Sequence, residues 1–325
     1  GLTSDATGIH AFCASRTKDF SAETPIIALA GNPNVGKSTI FNALTGMNQH
    51  TGNWPGKTVS SASGLCTLEG RRCTLVDLPG TYSLLAHSAE EEIARDAICF
   101  GGADLTVVVC DATCLARNLN LVLHTLEITS TTIVCVNLID DATRKGISLN
   151  LPLLSKRLGV PVVGFPARNA KSLRTLREVM ADMLFHAEPQ SRDRCPAGCS
   201  CCSGCLPTDP TPLLYPQPVE AAIGKLQPVL LPLLHGRCSA RWLSLRLLEE
   251  PLFSNLSLPE ALKEELRTSQ KLQDAKYDAD ALLCAAGLEG EQRKDTIVAA
   301  LMEKAESLCA GAVFTDPHRR NTLDQ

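Results

Sequence analysis

With 325 residues, of which 44% are apolar and 20% charged, the chain is long enough for two domains that each bury a core. A net charge of -4 and a pI near 6.0 leave no surplus of Lys and Arg to replace phosphate counterions, which excludes a general nucleic-acid binder. The longest apolar runs, Leu105 to Cys110, Thr132 to Val136 and Val229 to Leu234, fall far short of the roughly 20 residues that cross a bilayer, so no membrane span is expected.

Residues 1–24 hold no apolar core of signal-peptide length and read as a flexible segment of a cytoplasmic chain. From Ile26 onward, short β-rich runs alternate with helical patterns. They are Ile26 to Ala30 with a helix from Lys37, then Cys73 to Val76, Leu105 to Cys110, Ile133 to Val136 and Val160 to Gly164. This alternation predicts an α/β domain over 25–188, a mostly parallel sheet with helices on both faces. Residues 189–212 have the Pro, Ser, Gly and Cys content of a linker or insert. After it every strong segment has helical spacing: Glu220, Ile223 and Leu226; Trp242, Leu245, Leu247 and Leu248; Ala261, Leu262 and Leu266; Ile297, Leu301 and Ala305. A small all-α bundle of four helices over 213–311 is expected, followed by a basic tail over 312–325.

Fifteen cysteines in a chain this long, with no export signal, do not read as a disulfide framework. Cys110, Cys135 and Cys284 stand in apolar contexts and are expected as buried, reduced thiols. Only Cys195, Cys199, Cys201, Cys202 and Cys205 cluster. Five thiolates could coordinate Zn2+, Fe2+ or an iron–sulfur cluster, yet the spacing lacks paired Cys-x-x-Cys knuckles, and Pro196, Gly198 and Gly204 favour a mobile reduced insert over an ordered metal site.

The chemistry is densest near the start. Gly31-Asn32-Pro33-Asn34-Val35-Gly36-Lys37-Ser38 follows an apolar strand and opens a helix, the context that makes GxxxxGK[ST] a phosphate loop. Its glycines let backbone N–H groups, out to Thr39, face the phosphates; Lys37 neutralises the β and γ phosphates, and the Ser38 hydroxyl is a ligand for Mg2+. A carboxylate must hold that ion from the far side, at the end of a second strand. Asp77-Leu78-Pro79-Gly80 supplies it, with Asp77 reaching the ion through water and the Gly80 N–H facing the γ phosphate. A guanine base is distinguished by a carboxylate that accepts from N1–H and the exocyclic amine. Asn137-Leu138-Ile139-Asp140 ends the next suitable strand, with Asp140 as the reader, Asp141 as a nearby decoy, and Asn137 tying this loop to the phosphate loop. Leu138 stands where most such proteins carry Lys. The remaining base-contacting loop falls at Pro166-Ala167-Arg168, which reads equally as a plain loop.

Four stretches together resemble the FeoB family of bacterial ferrous iron transporters: Gly31-Asn32-Pro33-Asn34, Gly52-Asn53-Trp54-Pro55-Gly56-Lys57-Thr58-Val59, Asp77-Leu78-Pro79-Gly80-Thr81-Tyr82-Ser83-Leu84, and Asn137-Leu138-Ile139-Asp140. Arg241-Trp242-Leu243 with Leu247-Leu248-Glu249 is similar to that family's Arg-Trp helix. The resemblance implies a Ras-like, slowly hydrolysing GTPase domain that binds GTP or GDP, followed by a helical regulatory domain. Both would lie on the cytoplasmic side of an Fe2+ permease, with small cytosolic Feo proteins as further partners. It implies that Gly56, Lys57, Thr58, Val59 and Ser60 form the first switch, with Thr58 closing on Mg2+ in the GTP state. It gives Asn34 the holding of K+ beside the phosphates, although an Asn after Pro33 also suits a turn. Thr81 stands where Ras-like enzymes place the water-orienting Gln, so intrinsic hydrolysis should be slow. The basic stretch ending at Arg320 would precede a first membrane helix. A free-standing assembly GTPase and a metal-binding module built on the cysteine insert are the competing readings.

Overall fold

The computed structural model describes residues 24–46, 49–53, 60–85, 88–166, 170–186, 213–234, 238–249, 258 and 260–316; of 49–53 and 60–61 only the backbone is described. The expected α/β domain is present as a seven-stranded sheet. Its strands are β1 (Ile26–Gly31), β2 (Gln49–Asn53), β3 (Ser60–Leu68), β4 (Arg71–Asp77), β5 (Leu105–Asp111), β6 (Thr132–Asn137) and β8 (Val162–Phe165), in the order β2-β3-β4-β1-β5-β6-β8. The five strands from β4 to β8 in that order run parallel, and β2, β3 and β4 form an antiparallel edge. Leu105 through Cys110 are all buried, because a central parallel strand is covered on both faces. Glu69 and Gly70 turn the β3–β4 hairpin, both with positive φ, the backbone that a tight two-residue turn between twisted strands requires.

Helices α1 (Lys37–Thr45) and α6 (Ala170–Ala181), with a π-turn at Asp182–His186, cover one face over Ile27, Leu29, Leu75 and Val107. The other face carries α2 (Ala89–Phe100), α3 (Leu115–Ile128), α4 (Ile139–Arg144) and α5 (Leu151–Leu158). On this side the apolar core does not stop at the domain boundary. It continues through Leu119 and Val122 of α3 to Val219, Leu226, Trp242, Leu283 and Ile297, so the helical part shares its core with the sheet domain instead of burying one of its own.

That helical part has five described helices, one more than the sequence pattern indicates: α7 (Gln217–Leu234), α8 (Ala240–Glu249), α9 (Glu260–Thr268), α10 (Gln270–Ala285) and α11 (Glu291–Cys309). The unexpected one is α10. It buries only Leu272, Ala279 and Leu283, a stripe too thin to mark the helix, and starts from a Ser269 side chain that accepts from Leu272 N–H. In α7 the helix continues through Pro228 and Pro232. The chain then returns to the sheet domain: Val313–Thr315 (β9) pairs antiparallel with Ile147–Leu149 (β7), so strand structure begins inside the stretch read as a basic tail. Arg157 of α5 donates to the carbonyls of Leu308 (2.8 Å) and Ala310 (2.5 Å), satisfying acceptors at the C-terminal end of α11. Among the described residues no helix is long and apolar enough to cross a membrane.

Candidate functional site

The parallel strands end together. Leu29 pairs with Asp77, Asp111 with Asn137, and Asn137 with Phe165, which aligns the motif-bearing strand ends along one edge, the side on which open α/β sheets bind ligands. Gly31 leaves β1 there in close packing: a Cβ on it would lie 2.8 Å from the Val109 carbonyl oxygen. Asn34 and Gly36 both have positive φ (64° and 80°), curling 32–36 back over the start of α1. Gly36 is the N-cap of α1, no side chain caps it, and no acidic residue lies in its first turn, so the first N–H groups of α1 face the loop with the positive end of the helix dipole behind them.

The neighbouring strand ends are joined to this loop. Asn137 Nδ2 donates to the Val35 carbonyl at 2.9 Å, the tie expected from the sequence. Lys37 Nζ pairs with Asp77 Oδ1, so the cation and the carboxylate meet in one place. Leu78 N–H donates to Leu29 O and Thr81 N–H to Gly31 O, which carry the chain after Asp77 across the loop, and Gly80 lies against Pro33. Asn32 is 3% exposed and its Oδ1 has no hydrogen-bond partner among the described residues. The uncapped helix start and Lys37 offer N–H donors that fit a phosphate chain, and the Asp77 carboxylate beside Lys37 offers an oxygen that fits its divalent ion.

Leu138 takes φ 60°, rare for a branched side chain, and this turn begins α4 with Asp140 and Asp141 in its first turn. The two carboxylates then differ. Asp141 is paired with Arg144, whereas Asp140 is exposed. Pro166 directly follows Phe165 at the same edge; Ala167 and Arg168 lie outside the described residues. So do Gly56, Lys57, Thr58 and Val59, and the cysteines from Cys195 to Cys205; Ser60 opens β3. Ser38 and Thr39 are exposed in the first turn of α1.

The thiol expectation holds for Cys110 and Cys135, both fully buried, with burial pushing their pKa values up. It fails for Cys284, which is exposed and donates to Glu289 at 2.7 Å, because α10 turns that position outward. Among the described residues one mixed group, Glu69, Asp182 and His186, could share a cation. It is exposed, and the 2.8 Å pair of Glu69 with His186 and the stacking of Arg71 over Phe185 account for its arrangement.

Three residues that sequence reasoning passed over lie where the segment after Asp77 meets the bundle. Arg117 of α3 stands 4.6 Å over the Tyr82 ring, His124 Nδ1 accepts from Leu84 N–H at 3.2 Å, and Glu127 lies 3.4 Å from Arg241 of α8. Burial, partly offset by Arg241, raises the Glu127 pKa to about 7. A lone His or Glu on an otherwise apolar helix face carries no motif, and only the amphipathic break in α3 hints at them.

Residues 25–180 match the family described as Ferrous iron transport protein B, and residues 215–313 match the FeoB cytosolic helical domain. The Fe(2+) transporter FeoB of Escherichia coli is 34% identical over 281 residues, 79% of this chain and 32% of that protein. The Salmonella typhimurium protein of the same name is 39% identical over 179 residues, 51% of this chain and 23% of that protein. The chain thus spans 32% or less of these two relatives. Among solved structures, a mutant S. thermophilus NFeoB bound to GDP has a TM-score of 0.68 at 29% identity, covering 90% of this chain and 100% of that one. Another mutant of it, bound to mGDP, has a TM-score of 0.67 at 30% identity, with 89% and 100% covered. The cytosolic domain of the T. maritima FeoB iron transporter in GMPPNP form gives 0.65 at 29% identity, with 90% and 100% covered.

Proposed function

The chain belongs to the FeoB family, and on that premise we propose that it is the guanine-nucleotide switch on the cytoplasmic side of a ferrous iron transporter, coupling GTP binding and slow hydrolysis to Fe2+ uptake. The observation that carries the reading is the 2.9 Å bond from Asn137 to Val35, which holds the base-reading strand end against the phosphate loop. Nucleotide-bound relatives with the same fold support it.

In this reading the loop from Gly31 to Thr39 cradles the phosphates with backbone N–H groups, and Lys37 leaves Asp77 to meet the β and γ oxygens. Asp77 is then available, with Ser38 and Thr58, to hold Mg2+, which neutralises phosphate charge when bound. Asp140 rather than Asp141 reads the guanine edge, since Arg144 occupies the latter. The Gly80 N–H faces the γ phosphate, and water displaces GDP from the γ phosphorus. Slow turnover fits Thr81, which is 3% exposed and gives its N–H to Gly31, so it presents no side chain to water. Asn34, exposed on the loop, is the residue proposed to hold K+. The permease part of a full-length protein and small cytosolic Feo proteins are the proposed partners, and the iron ion is cargo.

The test is nucleotide selectivity. Fluorescent GDP should be displaced by GTP at micromolar concentration and not by ATP, and Asp140→Asn should transfer preference to xanthosine nucleotides. Equal displacement by ATP and GTP would overturn the guanine assignment.

A further inference from the structure

Once past Asp77, the chain from Leu78 to Leu85 crosses α3 and is fixed at three points. Thr81 N–H is held by Gly31 O (3.1 Å), the Tyr82 ring by the Arg117 guanidinium, and Leu84 N–H by His124 Nδ1 (3.2 Å). Arg117 and His124 are two helical turns apart on α3 and so lie along one face of it. The last anchor is the buried one: Leu84 is 2% and His124 9% exposed.

Burial, together with the nearby Arg246, lowers the His124 pKa to about 3, so the ring is neutral at any physiological pH. Since Nδ1 accepts, the ring proton sits on Nε2, which is buried and has no hydrogen-bond partner among the described residues. A leucine would fill this position without burying an orphaned N–H, so packing alone does not account for a histidine here. The acceptor at Nδ1 does, because the Leu84 amide is buried and needs one. The ring borders a cavity of about 10 Å3 at the junction of the two domains, walled by Leu84 and Leu85 of the crossing segment, Glu127 of α3, and Trp242, Leu245 and Arg246 of α8. The ring, the end of the switch segment and α8 of the bundle therefore border one cavity.

We propose that His124 is a positioning residue of the GTPase switch: its Nδ1 fixes the far end of the segment from Asp77 to Leu85 on α3, and the seated bundle keeps the ring in place to do so. The proposal deepens the GTPase reading and rests on it for its effect on turnover. Leu84 lies beyond the residues that face the phosphates, so losing this anchor loosens Gly80 and Thr81 through the chain without removing a nucleotide contact. The expected signature is a lower kcat with KM for GTP unmoved.

Nitrogen NMR of the wild-type chain should find His124 in the Nε2-protonated tautomer and not titrating between about pH 5 and 8, the range in which an unperturbed His changes charge. An Nδ1–H tautomer or a titration in that range overturns the proposal, with no variant needed. In His124→Leu, the Leu84 amide should exchange about tenfold faster and kcat should fall by a similar factor, the scale of one lost buried hydrogen bond. His124→Asn, whose Oδ1 offers an acceptor near the place of Nδ1, should restore most of both. Unchanged Leu84 exchange in His124→Leu, or equal impairment of the Leu and Asn variants, reduces His124 to a packing residue and overturns the proposal. If the wild type does not hydrolyse GTP, the GTPase reading fails, while the tautomer and the Leu84 amide still decide this one.

Discussion

A Cβ added at Gly36 would stand 2.3 Å from Asn137 Nδ2, whereas at Gly224, Gly287 and Gly290 in the bundle it would meet nothing within 4 Å. The two regions are specified by different means. At the nucleotide edge, backbone groups approach so closely that single atoms decide the arrangement, and the positive φ of Asn34, Gly36 and Leu138 is part of it. In the bundle, the arrangement follows from apolar side chains buried in a core that continues into the sheet domain. Chemistry at the edge should therefore be lost by small changes that leave the fold standing, while the bundle should tolerate changes of similar size and lose function only where it touches α3 and α5.

The largest expected effect is at the edge. Lys37→Ala removes the cation paired with Asp77, and Gly36→Ala drives a methyl group into Asn137 at a positive φ. Each should lower GTP turnover by more than about a hundredfold, the scale of a lost preorganised charge contact. Far-ultraviolet circular dichroism should be unchanged for Lys37→Ala, since this side chain does not pack in the core. Normal turnover by Lys37→Ala would break the comparison at its first term.

How much of this was legible in the sequence follows the same division. The placement of Asp77 and Asn137 at strand ends, with Lys37 and Asp140 in the first turns of the helices that follow neighbouring strands, could be read because the motifs adjoin strands that announce themselves as apolar runs. The apolar pattern of the bundle marks four helices, and α10 escapes it because its buried face, Leu272, Ala279 and Leu283, is thin and includes a weakly apolar residue. The β7–β9 pairing joins residues near opposite ends of the chain, and three-residue strands have no pattern of their own. His124 and Glu127 were invisible for a different reason. Their partners, the Leu84 amide and Arg241, are assigned by tertiary packing, and nothing local to α3 names them.

A smaller effect is expected where the bundle docks. Arg157→Ala removes the donors that hold the Leu308 and Ala310 carbonyls, while those carbonyls can turn to water. If the bundle is coupled to the nucleotide site, GDP dissociation should change by several-fold, the scale of about 1 to 3 kcal/mol of coupling between sites. A point variant is the sharper tool here, because deleting the bundle would strip α3 of the apolar surface it shares with α8 and α11. An unchanged GDP dissociation rate, with the protein still folded, would make the bundle a passive spacer.

The domain junction should also respond to pH. Glu127 has a folded-state pKa of about 7, raised from 4.5 by burial against the opposing effect of Arg241, with Glu220 raising it further and Arg246 lowering it. A carboxyl whose pKa is raised on folding binds more protons in the folded chain, so its contribution to stability is complete below about pH 4.5 and is lost as pH rises through about 7. Urea midpoints of the wild type should therefore fall more between pH 5 and pH 8 than those of Glu127→Gln, which cannot ionise. Parallel pH profiles for the two proteins would show that Arg241 keeps Glu127 ionised throughout.

The smallest effect tests the other term of the comparison. Gly224 is exposed in the interior of α7, has no positive φ, and leaves open space where a Cβ would be. Ala there adds helix propensity and narrows the unfolded ensemble without meeting a neighbour, so Gly224→Ala should stabilise the chain by about 0.5 to 1 kcal/mol. That would raise Tm by a few degrees at most in a protein of this size. Nucleotide affinity and turnover should not move, because the exposed Gly224 lies outside the apolar core that joins the bundle to α3. The same substitution is thus expected to lower turnover by more than about a hundredfold at Gly36 and to strengthen the fold at Gly224. A destabilised Gly224→Ala protein would mean that the helix, which already accommodates Pro228 one turn further on, uses the freedom of glycine there, and that the bundle too depends on close backbone geometry.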